Sequence, residues 1–319
     1  MNLRKACVVV GLAAGLIAPT GVQGQTVHII FPFRGGGSGD AMTRIVADQL
    51  STELQRPVIV ELRPGAAGRI GVQAVKSAAP DGNTLLMTPI APMAVYQSVY
   101  PSLEYDPIRD FQPVAQVAAF DFGIAVGKDI PVRTLSELVA WIKTDPTKAN
   151  YGIPGAGTLP HFFGALFGRA IGVDLQPITY GGGAAALTDL LGGQIPMMIQ
   201  SVNELTEMHK AEKIRVLATS SKARSVFLPD VPTFREAGYA IEGSGWFGLF
   251  APAKTSPDVV NRLNEIIVAA LAKPEVKDRI LKLGLQPTGT SPQAFAKILQ
   301  DDITLWAPAV KASGFTPTQ

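Results

Sequence analysis

The chain has 319 residues, of which 47% are hydrophobic and 17% are charged. This length allows two domains, each with its own core, and the composition excludes a disordered or fibrous chain. A formal net charge of +2 provides no electrostatic footprint for nucleic acid or for an anionic membrane surface.

Residues 1–24 have the pattern of a secretory signal peptide. Arg4 and Lys5 precede an apolar run, and small residues up to Gly24 resemble a cleavage site. The apolar run is shorter than the about 20 residues that span a bilayer, and a buried N-terminal helix is the alternative. Removing this segment also removes Cys7, the lone cysteine, and leaves 26 basic and 26 acidic residues. We therefore expect a secreted, formally neutral mature chain without disulfides.

The mature chain is predicted to alternate strands with helices. Predicted strands cover residues 27–33, 57–62, 84–88, 122–126, 150–153, 175–180, 195–199 and 214–219. Predicted helices cover residues 40–54 with Asp40 as N-cap, 70–78, a segment after the capping box 134–137, and a segment ending at residue 191. Two more helices follow Ser256-Pro257 and Ser291-Pro292. This alternation predicts an α/β fold with a parallel sheet.

Three glycine-rich loops join a predicted strand to a predicted helix, at residues 33–40, 154–161 and 180–184. Glycine lets a ligand approach the backbone, and a helix start presents N–H groups without partners and a partial positive charge. Each loop could be only a tight turn. Three loops at the carboxyl edge of a sheet, however, favour a shared site for an anion.

Other site types fit the sequence poorly. The first loop ends Ser38-Gly39-Asp40 and lacks the lysine of a phosphate-binding P-loop. Gly35 and Gly37 resemble a dinucleotide fingerprint, but Asp40 stands where the third glycine belongs. The three histidines form no H-x-x-x-H pair for a metal, and no serine lies in a G-x-S-x-G elbow. We expect no catalytic residue, cofactor or metal, with a dinucleotide-dependent enzyme as a remote alternative.

Short motifs recur along essentially the whole mature chain in the order and spacing of a known family. They are Pro32-Phe33 with Gly36-Gly37 and Asp40, Arg63-Pro64-Gly65, Pro80-Asp81-Gly82, Tyr105-Asp106-Pro107, Gly157-Thr158 with His161, Tyr180, residues 186–194 (ALTDLLGGQ), residues 228–233 (LPDVPT) and Trp246. The sequence resembles the Bug-type periplasmic solute receptors of tripartite tricarboxylate transporters, a TctC-like family.

This resemblance implies a type II periplasmic binding protein fold, in which two α/β lobes close around a ligand cleft. Residues 25–125 and 251–319 would form lobe one, and residues 126–250 would form lobe two. The resemblance further implies a periplasmic monomer that binds a small organic carboxylate and delivers it to a membrane permease. A ligand-sensing partner of a signalling system would share the same binding chemistry and is the alternative.

The resemblance also implies that backbone N–H groups of the glycine loops bind the ligand carboxylate. The candidate ligand-binding residues are Phe33, Arg34, Gly36, Gly37, Ser38, Gly39, Asp40, Thr88, Gly155, Ala156, Gly157, Thr158, His161, Tyr180, Gly182 and Gln200. For His161 a structural role is the alternative, and for Trp246 packing at the hinge is favoured over stacking on the ligand.

Departures from the family pattern concern the ligand. Small polar residues of the usual pattern are replaced here by Pro89-Ile90, Ile153-Pro154 and Leu159-Pro160, so the site loses hydroxyls and gains apolar surface. Arg34 could pair with a second carboxylate, or it could be a solvated loop residue. We therefore favour an aromatic mono- or dicarboxylate such as terephthalate, with aliphatic di- and tricarboxylates close behind.

Overall fold

The computed structural model describes residues 25–316, so the predicted signal peptide lies outside the described residues. The strands are β1 (Val27–Phe31), β2 (Val58–Leu62), β3 (Thr84–Pro89), β4 (Phe111–Phe120), β5 (Phe122–Gly127), β6 (Asn150–Ile153), β7 (Gln176–Thr179), β8 (Met197–Ser201), β9 (Ile214–Thr219), β10 (Gly245–Pro252) and β11 (Gln286–Pro287). The helices are α1 (Ser38–Leu54), α2 (Arg69–Lys76), α3 (Tyr96–Val99), α4 (Leu135–Lys143), α5 (Leu159–Ile171), α6 (Gly183–Leu191), α7 (Val202–Lys210), α8 (Pro257–Ala272), α9 (Pro274–Lys282) and α10 (Pro292–Ala312). Within residues 25–316, none of these helices has the length and apolar character needed to cross a membrane.

The strands form two separate sheets. The first sheet has the order β11-β4-β10-β3-β1-β2, and the second has the order β7-β6-β8-β5-β9. β1 pairs in parallel with β2 and β3, and β6 pairs in parallel with β7 and β8. β5 and β10 are the first strands after the chain crosses from one sheet to the other, and each pairs antiparallel with both of its neighbours. The α/β class is confirmed, but each sheet is mixed instead of purely parallel.

The chain crosses between the two sheets twice, each time a few residues before a predicted lobe boundary. All of β5 belongs to the second sheet, so the first crossing lies at Asp121, before Ala125. All of β10 belongs to the first sheet, so the return lies before Gly245, ahead of Phe250. Lobe one is the part of the chain built on the first sheet, and lobe two is the part built on the second. The exact residues at which one lobe ends and the other begins stay a prediction.

Three strands and three helices are absent from the sequence prediction, namely β4, β10, β11, α3, α7 and α9. β4 contains Pro113, whose missing N–H is normally a mark against a central strand. A register shift of β10 between Leu249 and Phe250 accommodates that proline opposite Phe250. β10 is buried along its whole length, and α9 begins with Pro274 only two residues after α8 ends. β4 and β10 pair with each other over a long distance in the sequence, and the local sequence does not encode that pairing.

The C-terminal helix α10 joins the two lobes. Ser291 caps its start by accepting a hydrogen bond from the Ala294 N–H at 3.2 Å. Farther along, the ring of Trp306 packs edge-on against Phe163 of α5, with the centroids 5.0 Å apart. The same helix reaches lobe one through Asp302, whose carboxylate accepts a 2.7 Å hydrogen bond from the indole N–H of Trp246 on β10. One helix therefore contacts both sides of the cleft.

The largest cluster of buried apolar side chains extends through both lobes. It includes Ile30 and Leu86 of the first sheet, Ile124 and Tyr151 of the second sheet, and Trp306 of α10, each at most 1% exposed. A second cluster lies under α1 and α8 in lobe one, and a third lies under α6 and α7 in lobe two. The crossing strands are thus held within a continuous core.

Candidate functional site

A cavity of about 480 Å³ lies between the lobes, within the size range of small-molecule sites. Lobe one contributes Phe33, Ser38, Ala67, Pro89, Ile90, Ala91, Tyr96, Val99, Tyr100, Phe120, Phe247 and Leu285 to its wall. Lobe two contributes Phe122, Pro154, Ala156, Gly157, Thr158, Leu159, Pro160, Gly183, Gln200, Ser201, Asn203 and Glu204, and Phe315 follows α10. We refer to these residues as the cavity wall.

Aromatic and aliphatic side chains dominate the cavity wall. The ring of Phe120 lies 5.5 Å from that of Phe122 and 5.3 Å from that of Phe247, measured between centroids. Tyr96 and Tyr100 form an edge-to-face pair at 5.1 Å. Such surfaces favour a ligand with an apolar or aromatic body, because burying apolar area away from water is favourable.

The first glycine loop joins β1 to α1, and the Asp40 side chain bonds to the backbone of this loop. The helix begins one residue after Gly37, so Asp40 is its third residue and not the expected N-cap. The Asp40 carboxylate accepts a 2.9 Å hydrogen bond from the Gly36 N–H and pairs with Arg44 Nε at 2.9 Å. Asp40 therefore shapes the loop, while Ser38 brings the start of α1 to the cavity wall.

The second glycine loop joins β6 to α5 and is braced by His161. The Gly157 N–H donates to His161 Nδ1 at 3.2 Å, with Gly157 in the left-handed region at φ +73°. Burial lowers the pKa of His161, so the ring is neutral at pH 7 and accepts at Nδ1. Its ring also stacks on Phe162 and meets Phe315 edge-on. His161 thus braces the second glycine loop, and whether it also contacts a ligand stays a prediction.

The third glycine loop joins β7 to α6. The Tyr180 hydroxyl donates to the Asp189 carboxylate at 2.8 Å. Burial and this carboxylate raise the pKa of Tyr180 to about 12, so the phenol stays protonated and donates its hydrogen bond to Asp189. Gly182 precedes the helix as its N-cap, and Gly183 is the residue of this loop that lies on the cavity wall.

The structure places six of the sixteen predicted site residues on the cavity wall: Phe33, Ser38, Ala156, Gly157, Thr158 and Gln200. The other ten lie off it: Arg34, Gly36, Gly37, Gly39, Asp40, Thr88, Gly155, His161, Tyr180 and Gly182. Among them, the Arg34 side chain is exposed, and Thr88 is fully buried with its hydroxyl donating to the Pro89 carbonyl at 3.1 Å. Direct contact between a ligand and any of the sixteen stays a prediction.

The sequence reasoning missed several residues of the cavity wall. Tyr96 and Tyr100 are four residues apart on one helical stretch, a spacing that could have indicated a shared face. Glu204 follows the carboxyl end of β8, where ligands of such sheets bind, and that position was a usable signal. Phe315 had no such signal, because only the path of α10 brings it against His161.

The charge of the cavity wall is unusual for an anion site. Of its 25 residues, Glu204 is the one Asp, Glu, Lys or Arg. The Glu204 side chain is exposed to the cleft, and partial desolvation there raises the pKa of its carboxyl above the ordinary value. The Arg69 guanidinium lies behind the wall, 4.0 Å from the centroid of the Tyr100 ring. Within residues 25–316, no group of three or more His, Cys, Asp and Glu residues is placed to hold a metal ion.

Three comparisons relate the chain to known proteins. The family model described as "Tripartite tricarboxylate transporter family receptor" matches residues 42–315. Protein BugT of Bordetella pertussis is 32% identical over 98% of this chain and 99% of its own length. The structure of periplasmic binding protein BugD, at 31% identity, covers 92% of this chain and 99% of its own with a TM-score of 0.77. Rpa4515 of R. palustris with adipate, at 29% identity, covers 92% and 98% with a TM-score of 0.81.

Proposed function

The chain belongs to the tripartite tricarboxylate transporter receptor family, and from that premise we propose that it is a periplasmic receptor for a small organic carboxylate with an apolar body. The two lobes would close around the ligand, and the closed form would deliver it to the membrane permease. In this role the chain is a binding protein and not an enzyme. The observation that carries the proposal is the apolar cavity between the lobes, with the starts of α1, α5 and α6 at its wall.

The helix starts provide the polar part of the proposed site. N–H groups in the first turn of a helix have no acceptor within that helix, and the helix dipole adds partial positive charge. Ser38 and Gly183 are the first residues of α1 and α6, and Thr158 precedes α5. We propose that N–H groups at these starts bind the ligand carboxylate without a cationic side chain.

The aromatic cavity wall supports an aromatic ligand. We propose an aromatic mono- or dicarboxylate, with terephthalate as an example, ahead of aliphatic di- and tricarboxylates. Adipate, an aliphatic dicarboxylate, is the ligand named for Rpa4515, so the aliphatic class is the comparison to include. Arg34 is exposed and lies off the cavity wall, and its pairing with a second ligand carboxylate stays a prediction.

Isothermal titration of the purified protein with benzoate, terephthalate, adipate and citrate tests the ligand class. We expect at least one aromatic acid to bind more tightly than citrate, because citrate has no apolar body to bury. Tight binding of citrate or adipate together with no binding of either aromatic acid would contradict the aromatic preference. No binding of any of the four carboxylates would contradict the proposed receptor function itself.

A substitution in the cavity tests the location of the site. Ala156 is exposed on the cavity wall, so Ala156→Trp should fill the cleft and abolish binding without disturbing the core. Ala211→Trp, at an exposed position after α7, is the matched control and should leave binding unchanged. If both variants bind like the original protein, the ligand does not occupy this cavity. Uptake of the ligand by cells that carry the permease should require this chain.

A further inference from the structure

Glu204 is the third residue of α7, a position where a glutamate normally serves its own helix. There its carboxylate usually bends back to accept the N–H of the N-cap residue, which is Ser201 here. In this structure the Ser201 N–H instead donates to the Oε1 atom of Gln200 at 2.9 Å. Because Gln200 has taken over the capping role, the Glu204 carboxylate is free to point elsewhere.

The Glu204 carboxylate points into the cavity, beside Gly183 of α6. A methyl group at residue 183 would overlap both the Nε2 atom of Gln200 and the Oε2 atom of Glu204. The absence of a side chain at Gly183 therefore makes room for these two polar groups at the cavity wall. Among the described residues, Glu204 forms no salt bridge and accepts no hydrogen bond from a side chain or a backbone N–H outside its helix.

The surroundings of Glu204 contain no compensating charge. Its nearest companions on the wall are the neutral Gln200, Asn203 and Gly183. A second ligand carboxylate placed beside Glu204 would meet a group of like charge and be repelled by it. A hydroxyl, amide or ammonium group would instead donate a charge-assisted hydrogen bond to it.

We propose that Glu204 is a specificity-determining residue that accepts a hydrogen bond from a donor group at the end of the ligand remote from its carboxylate. The inference narrows the proposed ligand class to monocarboxylates with a hydroxyl, amide or ammonium group at the other end, and it places dicarboxylates such as terephthalate below them. This inference rests on the proposed function, since it concerns the ligand of the same cavity.

Two series of ligands with matched shapes test the inference. The aliphatic series is hexanoate, 6-hydroxyhexanoate, 6-aminohexanoate and adipate, and the aromatic series is benzoate, 4-hydroxybenzoate, 4-(aminomethyl)benzoate and terephthalate. Within the series that binds, we expect a donor-bearing member to bind about 10-fold or more tightly than the member without a polar end, as a hydrogen bond to a charged group allows. The dicarboxylate should be the weaker of the two polar-ended ligands.

The variant Glu204→Gln separates the charge from the shape of the side chain. We expect it to lose most of the preference for the donor-bearing ligand and to bind the dicarboxylate about 10-fold more tightly, while hexanoate or benzoate changes by less than about threefold. Glu207→Gln is the matched control, because Glu207 lies on the same helix with its side chain 80% exposed and paired only to Lys210 at 3.8 Å. That variant should leave every affinity unchanged.

Three results would overturn the inference. The first is a wild-type preference for the dicarboxylate over the donor-bearing monocarboxylate. The second is an equal loss of affinity for every ligand in Glu204→Gln, which would indicate a structural role. The third is equal binding of the donor-bearing ligand and the ligand without a polar end, which leaves the proposed receptor function intact. No binding of either series would overturn both proposals.

Discussion

Replacing Asp302 by asparagine should change how the stability of the protein depends on pH. Burial raises the pKa of Asp302 from its ordinary value of 3.8 to about 6, and the neighbouring charge of Asp301 adds to the shift, while the hydrogen bond from Trp246 opposes it. The folded protein therefore holds this proton more tightly than the unfolded chain does. Its stabilising contribution is complete below pH 3.8 and is lost as the pH rises through about 6.

The size of the effect follows from the two pKa values. With 3.8 for the unfolded chain and about 6 for the folded protein, this carboxyl destabilises the fold by about 2 kcal/mol between pH 4 and pH 7. For a chain of this size that corresponds to a change of about 3 °C in Tm. Asparagine at this position does not titrate, and its side-chain oxygen can still accept the indole N–H of Trp246.

The assay is urea denaturation followed by circular dichroism at pH 4, 5, 6 and 7. The free energy of unfolding of Asp302→Asn, relative to the original protein, should rise by about 2 kcal/mol from pH 4 to pH 7. Asp278→Asn, at an exposed position on α9, is the control. Its free energy of unfolding should change with pH in the same way as that of the original protein. Parallel profiles for Asp302→Asn would refute the reasoning, because they would mean that Asp302 titrates alike in the folded and unfolded states.

Three further substitutions test individual contacts. Gly39→Ala should destabilise the protein by about 1–3 kcal/mol in urea denaturation. The new methyl group would lie 2.6 Å from the Phe31 ring and 2.7 Å from the Phe247 ring. Unchanged stability would mean that α1 can move to relieve these contacts. Phe315→Ala removes one aromatic ring from the cavity wall and should weaken binding of benzoate by about 10-fold in calorimetry, whereas equal affinity would exclude that ring from the site. Ser291→Ala removes the cap of α10 and should cost about 1 kcal/mol of unfolding free energy, with Ser291→Thr close to the original value.

The sequence predicted well those parts of the fold that are encoded locally. Val27–Phe31, Asn150–Ile153 and Ile214–Thr219 are short apolar runs with clear flanking signals, and each is a strand. The capping box at Thr134 is also present, with its hydroxyl accepting the Glu137 N–H at 3.1 Å. β4 escaped prediction because Pro113 argues against a strand, and its partner β10 is more than 100 residues away in the sequence.

The site shows a similar division. The positions of the glycine loops follow from the sequence, because a strand, a glycine run and a helix are consecutive. How the loop N–H groups are used does not follow from it. Asp40 occupies the Gly36 N–H, and His161 occupies the Gly157 N–H, and both bonds depend on side-chain directions that are fixed by tertiary packing. The cavity wall likewise depends on Phe315, which α10 carries there from the far end of the chain.

The apolar cluster that runs from the first sheet through α10 into the second sheet has a consequence for folding. Domains that unfold independently have separate cores, and few buried contacts cross between them. Here Ile30 and Leu86 share one cluster with Ile124 and Tyr151, so neither lobe keeps a complete core when the other is removed. The two lobes are therefore one cooperative unit, and an excised lobe two would expose the crossing strand β5 and the face that Trp306 covers. The proposed closure around a ligand would therefore take place within a single folding unit.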